Sequence, residues 1–176
     1  MQLSEIQNRP LFLIFLDLKK AYDTLDRERT LEILEKYGVG PNLIRLLRNF
    51  WNKLLVVARQ SGYHSSPISV RRGVTQGDVI SPTIFNIVVD AVVCYWLQRT
   101  SLAASQDTSD QSQLEVSAAY YADDGVLCSH DSDQLQSGLD LFVELFERVG
   151  LQTNANKTKA MVCISDCVHS HLSSAA

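Results

Sequence analysis

Asp123 and Asp124 stand side by side in Tyr121-Ala-Asp-Asp-Gly125, after a strand-like run from Val116 to Tyr121 and before a second apolar run. Adjacent carboxylates repel unless protons or a cation intervene, and Mg²⁺ typically takes one or two carboxylates together with phosphate oxygens. The pair therefore asks for a metal. Asp-Gly between β-patterned segments predicts a hairpin, with the acids at or beside its turn. Another acid, Asp17, is the sole charge in the apolar run Leu11 to Leu18. A carboxylate at the end of a core strand is costly unless it is paired or ligates a metal. If the two strands lie side by side, Asp17 and Asp123 converge on the same ions, with Asp124 adding charge or a weaker contact. That is the cluster used by two-metal phosphoryl or nucleotidyl transfer.

The elements that must hold these acids follow from periodicity. Asp23 to Asp26 opens a short amphipathic helix carrying Leu31, Ile33, Leu34 and Tyr37, which Gly38 and Gly40 stop. Pro41 starts a second helix whose apolar face, Leu43, Ile44, Leu46, Leu47, Phe50 and Trp51, is expected to be buried. Leu54 to Ala58 and Ile68 to Arg72 read as the strands of a hairpin with an extended loop, in which His64 faces solvent. Ser81 to Leu97 is apolar around much of its circumference, as a central helix would be, and Thr100 to Gln113 reads as a flexible surface insertion. Val126 to Cys128 gives the outgoing strand and Gln134 to Val149 a helix ended by Gly150. Ala160 to Ile164 is a last short strand, and residues 165–176 read as a disordered tail. Strands interleaved with helices packed on one face make an α+β layer, here as a single domain over 1–176 with its core at about 11–164.

With 176 residues, a hydrophobic fraction of 45% and a charged fraction of 20%, the chain suits one globular core. No charge-free stretch has the make-up of a spanning helix, so no membrane partner is expected. No secretory leader pattern precedes Asp17, so an intracellular location is expected, with nucleus or cytoplasm left open. Cys94, Cys128, Cys163 and Cys167 lack zinc-knuckle spacing and read as free thiols, buried where they lie in or beside apolar segments. A net charge of −4 argues against a self-sufficient nucleic-acid binder, although Arg45, Arg48, Lys53, Arg59 and the pair Arg71-Arg72 are local basic groups.

Four segments occur in order: Asp17-Leu-Lys-Lys-Ala-Tyr-Asp23, Arg72-Gly-Val-Thr-Gln-Gly-Asp-Val-Ile-Ser-Pro-Thr-Ile-Phe85, Tyr121-Ala-Asp-Asp124 and Gly150-Leu-Gln-Thr-Asn-Ala-Asn-Lys-Thr-Lys159. Together they resemble the consecutive palm motifs of reverse transcriptases, in the flavour of non-LTR retrotransposons and group II introns. Ala-Asp-Asp alone is weak, and the ordered set is specific. The resemblance covers about Leu11 to Ile164 and implies a polymerase palm, an antiparallel sheet with helices on one face and a ferredoxin/RRM-like core.

By this resemblance the chain adds deoxynucleoside triphosphates to a DNA primer on an RNA template. Asp17, Asp123 and Asp124 then hold two Mg²⁺ ions, for which Mn²⁺ can substitute. Tyr22 lies beneath the incoming sugar and selects deoxynucleotides, and the main chain from Leu18 to Ala21 approaches the triphosphate. Gln76-Gly77 contacts template and incoming nucleotide, and Arg72 is a candidate phosphate contact. Lys157, with Lys159 as the competing choice, lies near the leaving pyrophosphate as its general acid.

Plainer readings stand beside these: a solvated turn for Asp123-Asp124, an aromatic anchor for Tyr22, and a helix-entry turn capped by Asp78 or Ser81 for Gln76-Gly77. Lys157 also reads as a solvated lysine, and Asp23 as a cap or salt-bridge partner. Fingers before Leu11 and a thumb after Ile164 are expected to be absent, leaving a fragment that needs those segments or another polypeptide. Two further classes remain open. One is a catalytically silent palm remnant that contacts nucleic acid or serves assembly; the other is an RNA-dependent RNA polymerase, against which Tyr22 argues.

Overall fold

Leu-Phe-Leu-Ile-Phe-Leu-Asp forms the first strand because its side chains alternate between two environments: Ile14 and Leu16 are buried, and Phe15 between them is 40% exposed. A computed structural model describes residues 10–106, 117–121 and 124–164. The elements are β1 (Leu11–Asp17), α1 (Ala21–Thr24), α2 (Arg27–Lys36), α3 (Pro41–Asn52), β2 (Leu55–Val56), β3 (Arg59–Gln60), β4 (Tyr63–His64), β5 (Ile68–Ser69), α4 (Ser81–Gln106), β6 (Ser117–Tyr121), β7 (Asp124–Ser129), α5 (Ser132–Arg148) and β8 (Lys159–Cys163). The chain divides into two compact units.

The first unit holds the described residues within 10–18, 93–145 and 153–164. Its sheet runs β6-β7-β1-β8 with every pairing antiparallel, so β1 is an interior strand. One face of the sheet is the core face, carrying Ile14, Leu16, Gly125 and Leu127. Trp96, fully buried, donates from Nε1 to the Gly138 carbonyl at 2.7 Å and meets the Phe142 ring edge-on at 6.0 Å. Tyr120 stacks on Phe142 from the sheet at 5.3 Å, and burial pushes its phenol pKa up. Rings of this size, taken wholly out of water, contribute about 2–3 kcal/mol each.

The second unit holds Lys19–Val92 and Phe146–Gln152. Asp26 caps α2 by accepting from Arg29 N at 3.0 Å, and Pro41 occupies the first turn of α3, where its missing N–H costs nothing. β2 pairs with β5, and β3 with β4, as two short ladders.

Several expectations change. The expected hairpin forms between β6 and β7 with Asp124 in its closing pair opposite Tyr121, but Asp124-Gly125 is not itself the turn: Tyr120 pairs with Gly125, so both residues lie in β7. A side chain at 125 would occupy the space taken by the Tyr120 ring, which explains the glycine by close approach and not by a bend. Leu43, Leu46 and Phe50 of α3 are exposed and only Ile44, Leu47 and Trp51 are buried, so half of the expected apolar face stays in water. The long loop after Ala58 contains β3 and β4, closed at Ser61-Gly62, and Arg72 lies beyond β5 in a bend. α4 continues to Gln106, past Leu97 and into the expected insertion, because no Gly or Pro interrupts it; residues 107–113 lie outside the described residues, as does the tail 165–176 with Cys167. The cap of α2 is Asp26, and Asp23 is an exposed residue of α1. Among the described residues Cys94, Cys128 and Cys163 form no disulfide, with Cys94 exposed instead of buried and Cys128 and Cys163 half-buried. Among the described residues no helix is long and apolar enough to cross a membrane.

Candidate active site

Strand alternation decides where Asp17 points. With Ile14 and Leu16 on the core face, Asp17 shares the opposite face with Phe15, and its side chain is 23% exposed. The antiparallel register sets Asp124, the first residue of β7, directly across from it. Like charges directly opposite on neighbouring strands are unfavourable, so the fold keeps this arrangement only with compensation. Asp123 lies outside the described residues.

Part of that compensation comes from the other side of β1. Leu18, buried, bridges Thr153, and Asn154 N donates to the Asp17 carbonyl at 2.7 Å. Asn154 Nδ2 donates to Asp17 Oδ2 at 3.0 Å, and Lys157 Nζ reaches Asp17 Oδ1 at 3.4 Å. The segment is itself a closed turn, because Lys157 N, Thr158 N and Thr158 Oγ1 all donate to the Asn154 carbonyl at 2.9–3.0 Å. Lys157 is 67% exposed, so its ion pair adds little stability, and the significance lies in placement. Lys159, the competing candidate, is in β8 opposite Phe15.

Oxygen ligands alone suit a hard divalent cation, and Asp17 with Asp124 supplies two carboxylates on neighbouring strands, the first of them paired to Lys157. Among the described residues no group of three His, Cys, Asp or Glu assembles into a metal site, so a full ligand set draws on further donors. The donor chemistry present fits such an ion.

The remaining candidates lie in the second unit. Lys20, with φ 45°, turns the chain out of β1 into α1. Tyr22 is half-buried and stacks on Phe85 at 4.7 Å with 17° between the planes. Its carbonyl accepts from Val74 N at 2.7 Å, and Gly73 N donates to the Leu25 carbonyl at 2.8 Å. The strand-exit segment is thus laced to the loop that leads into Gln76 and Gly77, both exposed. Asp78 ends that loop, its Oδ1 accepting from Ile80 N and its carbonyl from Ser81 N, each at 3.3 Å, before α4 begins. His64 is exposed in β4.

So Asp17, Asp124, Leu18 and Lys157 fall in one unit, and Tyr22, Gln76 and Gly77 in the other. Two residues escape the sequence reading. Asn154 gives no periodic or compositional signal, since its role depends on β1 and β8 being neighbours. Arg27 reads as one charge among several at a helix start.

A family model described as "Reverse transcriptase (RNA-dependent DNA polymerase)" matches residues 2–171. The chain is 30% identical over 149 residues to the Retrovirus-related Pol polyprotein from type-2 retrotransposable element R2DM of Drosophila melanogaster, covering 85% of this chain and 13% of that protein. It is 26% identical over 162 residues to the RNA-directed DNA polymerase from mobile element jockey of Drosophila funebris, covering 87% and 16%. The chain therefore spans well under a quarter of the length of these curated relatives. Among solved structures it resembles apo telomerase from Candida tropicalis truncated from the C-terminal domain, with TM-score 0.65, 16% identity, 88% of this chain and 31% of that one. Telomerase of the same organism in complex with a TWJ fragment of telomeric RNA gives TM-score 0.67, 15% identity, 88% and 26%. At these identities the likeness is one of fold, and the fold is the α+β palm expected from the sequence.

Proposed function

The chain belongs to the reverse transcriptase (RNA-dependent DNA polymerase) family, and on that premise we propose that it is the palm of an RNA-directed DNA polymerase from a non-LTR retrotransposon. Its partners on this reading are an RNA template, a DNA primer and deoxynucleoside triphosphates. The observation that carries the proposal is Asp17 directly opposite Asp124, with Asn154 and Lys157 holding the Asp17 carboxylate. The telomerase relative that was solved with RNA supports a nucleic-acid partner.

Asp17, Asp124 and Asp123 would hold Mg²⁺, or Mn²⁺ in its place; such ions, when bound, neutralise phosphate charge and raise the acidity of a primer hydroxyl. Asn154 fixes the Asp17 rotamer by tying down Oδ2, so the carboxylate is oriented before any ligand arrives. Lys157 carries a proton at Nζ that a leaving pyrophosphate oxygen can accept, and its exposure lets it move to that oxygen. Phe85 holds the Tyr22 ring flat, which gives that ring a fixed edge against an incoming sugar.

Primer extension on an RNA template tests the reading. Extension should require Mg²⁺ or Mn²⁺, favour deoxynucleotides over ribonucleotides, and vanish in Asp17→Asn and Asp123→Asn. Nucleic-acid binding without extension would instead identify a silent palm, and equal use of ribonucleotides an RNA polymerase.

A further inference from the structure

Three backbone carbonyls converge on one guanidinium in the second unit. Arg27 Nε donates to the Gly73 carbonyl at 2.7 Å, and Nη1 donates to the Val70 carbonyl at 2.6 Å and the Trp51 carbonyl at 3.1 Å. The guanidinium also lies over the Trp51 ring at 5.7 Å. Arg27 is 8% exposed, and its Nη2 is buried and meets no acceptor among the described residues. Burial lowers its pKa, yet arginine stays charged at any working pH. A buried, charged donor with an unmade hydrogen bond is costly, and an anion relieves that cost.

Arg27 lines a cavity of about 400 Å³ together with Arg48, Arg71 and Arg72. The acids at its wall are already engaged: Glu28 pairs with Arg48 at 3.1 Å, and Asp26 caps α2. Arg71 and Arg72 are exposed and form no ion pair with a carboxylate among the described residues. In a chain of net charge −4 this is a local surplus of positive charge, built from the side chain best shaped to grip phosphate oxygens in pairs.

We propose that this arginine-lined cavity binds a backbone phosphate of a nucleic-acid strand, with Arg71 and Arg72 touching the phosphate directly and Arg27 as the fixed charge beneath them. The inference rests on the nucleic-acid partner of the proposed function, and it concerns a cavity apart from the carboxylates. Arg72 also sits four residues ahead of Gln76, so a phosphate held here would bear on the same loop.

The test is binding of a fluorescent RNA–DNA hybrid to the full chain across a salt series, for wild type, the Arg71→Gln/Arg72→Gln double variant and a Lys36→Gln control. The exposed positions leave the core untouched, which matching thermal melts would verify. The slope of log K against log salt should become shallower by about 0.7–0.9 for each phosphate that the variant no longer neutralises, or about 3-fold less change in affinity per phosphate over a roughly four-fold salt range. The Lys36→Gln slope should match wild type. Equal slopes for wild type and the double variant overturn the inference, and the proposed function survives if wild type still extends primers. Pyrophosphate that raises the wild-type melting temperature through Arg71 and Arg72, with hybrid slopes unchanged, would assign the cavity to free phosphates and overturn the strand assignment. A wild type that binds no hybrid overturns this inference and the proposed function together.

Discussion

Gly73 is where the palm's loop and its strand-exit segment press together, and replacing it by alanine has a cost that the structure lets one work out. Gly73 has φ +78°, a conformation that costs an L side chain about 1 kcal/mol. A Cβ there would lie 2.5 Å from the Tyr22 carbonyl oxygen and 2.6 Å from the carbonyl carbon and oxygen of Asp23. These are backbone atoms, so no flexible side-chain end can swing aside, and the segments must part. Parting them weakens Gly73 N to Leu25 O and Val74 N to Tyr22 O, at about 1 kcal/mol each. Gly73→Ala should therefore cost about 3 kcal/mol.

Gly38 supplies the control. It has φ +85° with nothing within 4 Å of a Cβ placed there, so Gly38→Ala should cost only the conformational term, about 1 kcal/mol. With a urea m-value of about 2 kcal/mol/M, the unfolding midpoint should drop by about 1.5 M for Gly73→Ala and by about 0.5 M for Gly38→Ala. Both shifts can be measured by equilibrium unfolding watched through tryptophan fluorescence. Coincident midpoints for the two variants would refute the claim that the Tyr22–Gly73 approach is tight and backbone-on-backbone.

Asn154→Ala should lower primer extension by about 10–100-fold with little loss of stability, since it frees the Asp17 carboxylate to reorient; single-turnover extension against Mg²⁺ concentration reads this out. Tyr22→Ala should raise ribonucleotide use relative to deoxynucleotide use and, by removing the Phe85 stack, also cost about 0.5–1.5 kcal/mol beyond area in a melt. The Tyr120 phenol is held above its ordinary value of 10.0 by burial, so its contribution is intact below pH 10 and is lost as pH climbs further and the unfolded chain gives up the proton first. Tyr120→Phe should accordingly flatten the decline of stability above pH 10 by up to about 1.4 kcal/mol per pH unit, measured by urea midpoints across an alkaline series.

Much of the fold is legible because local physics and tertiary context agree. β1, the helix after Asp26, Pro41 at the start of α3 and the end of α5 by Gly150 are each written in alternation, capping or a helix stop. Where the reading fails, a contact that the local sequence pattern does not encode decides. Gly125 looks like a turn residue because Asp-Gly usually is one, but its role is to make room for Tyr120 across the ladder. α3 carries a broad apolar face, yet the described chain buries one narrow stripe of it, because α3 packs along that stripe alone. Of the candidate site, the acids and Lys157 are visible as residue types in order, whereas Asn154 acquires meaning only once the turn after Gln152 is seen folded against the end of β1.

The interior position of β1 explains why so few residues suffice. Its two ladders are independent pairings: the one to β7 runs through Asp17, and the one to β8 ends at Phe15, after which Asn154 N donates to the Asp17 carbonyl. Side chains alternate with period two, so a one-residue slip of β1 would carry Ile14 and Leu16 into water and bury Asp17. The hydrophobic pattern that makes the strand fold therefore also forces the carboxylate to the open face. The same holds for β7, where burying Gly125, Leu127 and Ser129 leaves Asp124 on the Asp17 side. The placement of the two carboxylates on this sheet is thus protected by the core itself: a substitution that shifts the register has to overcome the burial of several aliphatic side chains, at about 1.5–3 kcal/mol apiece, before it can separate Asp17 from Asp124.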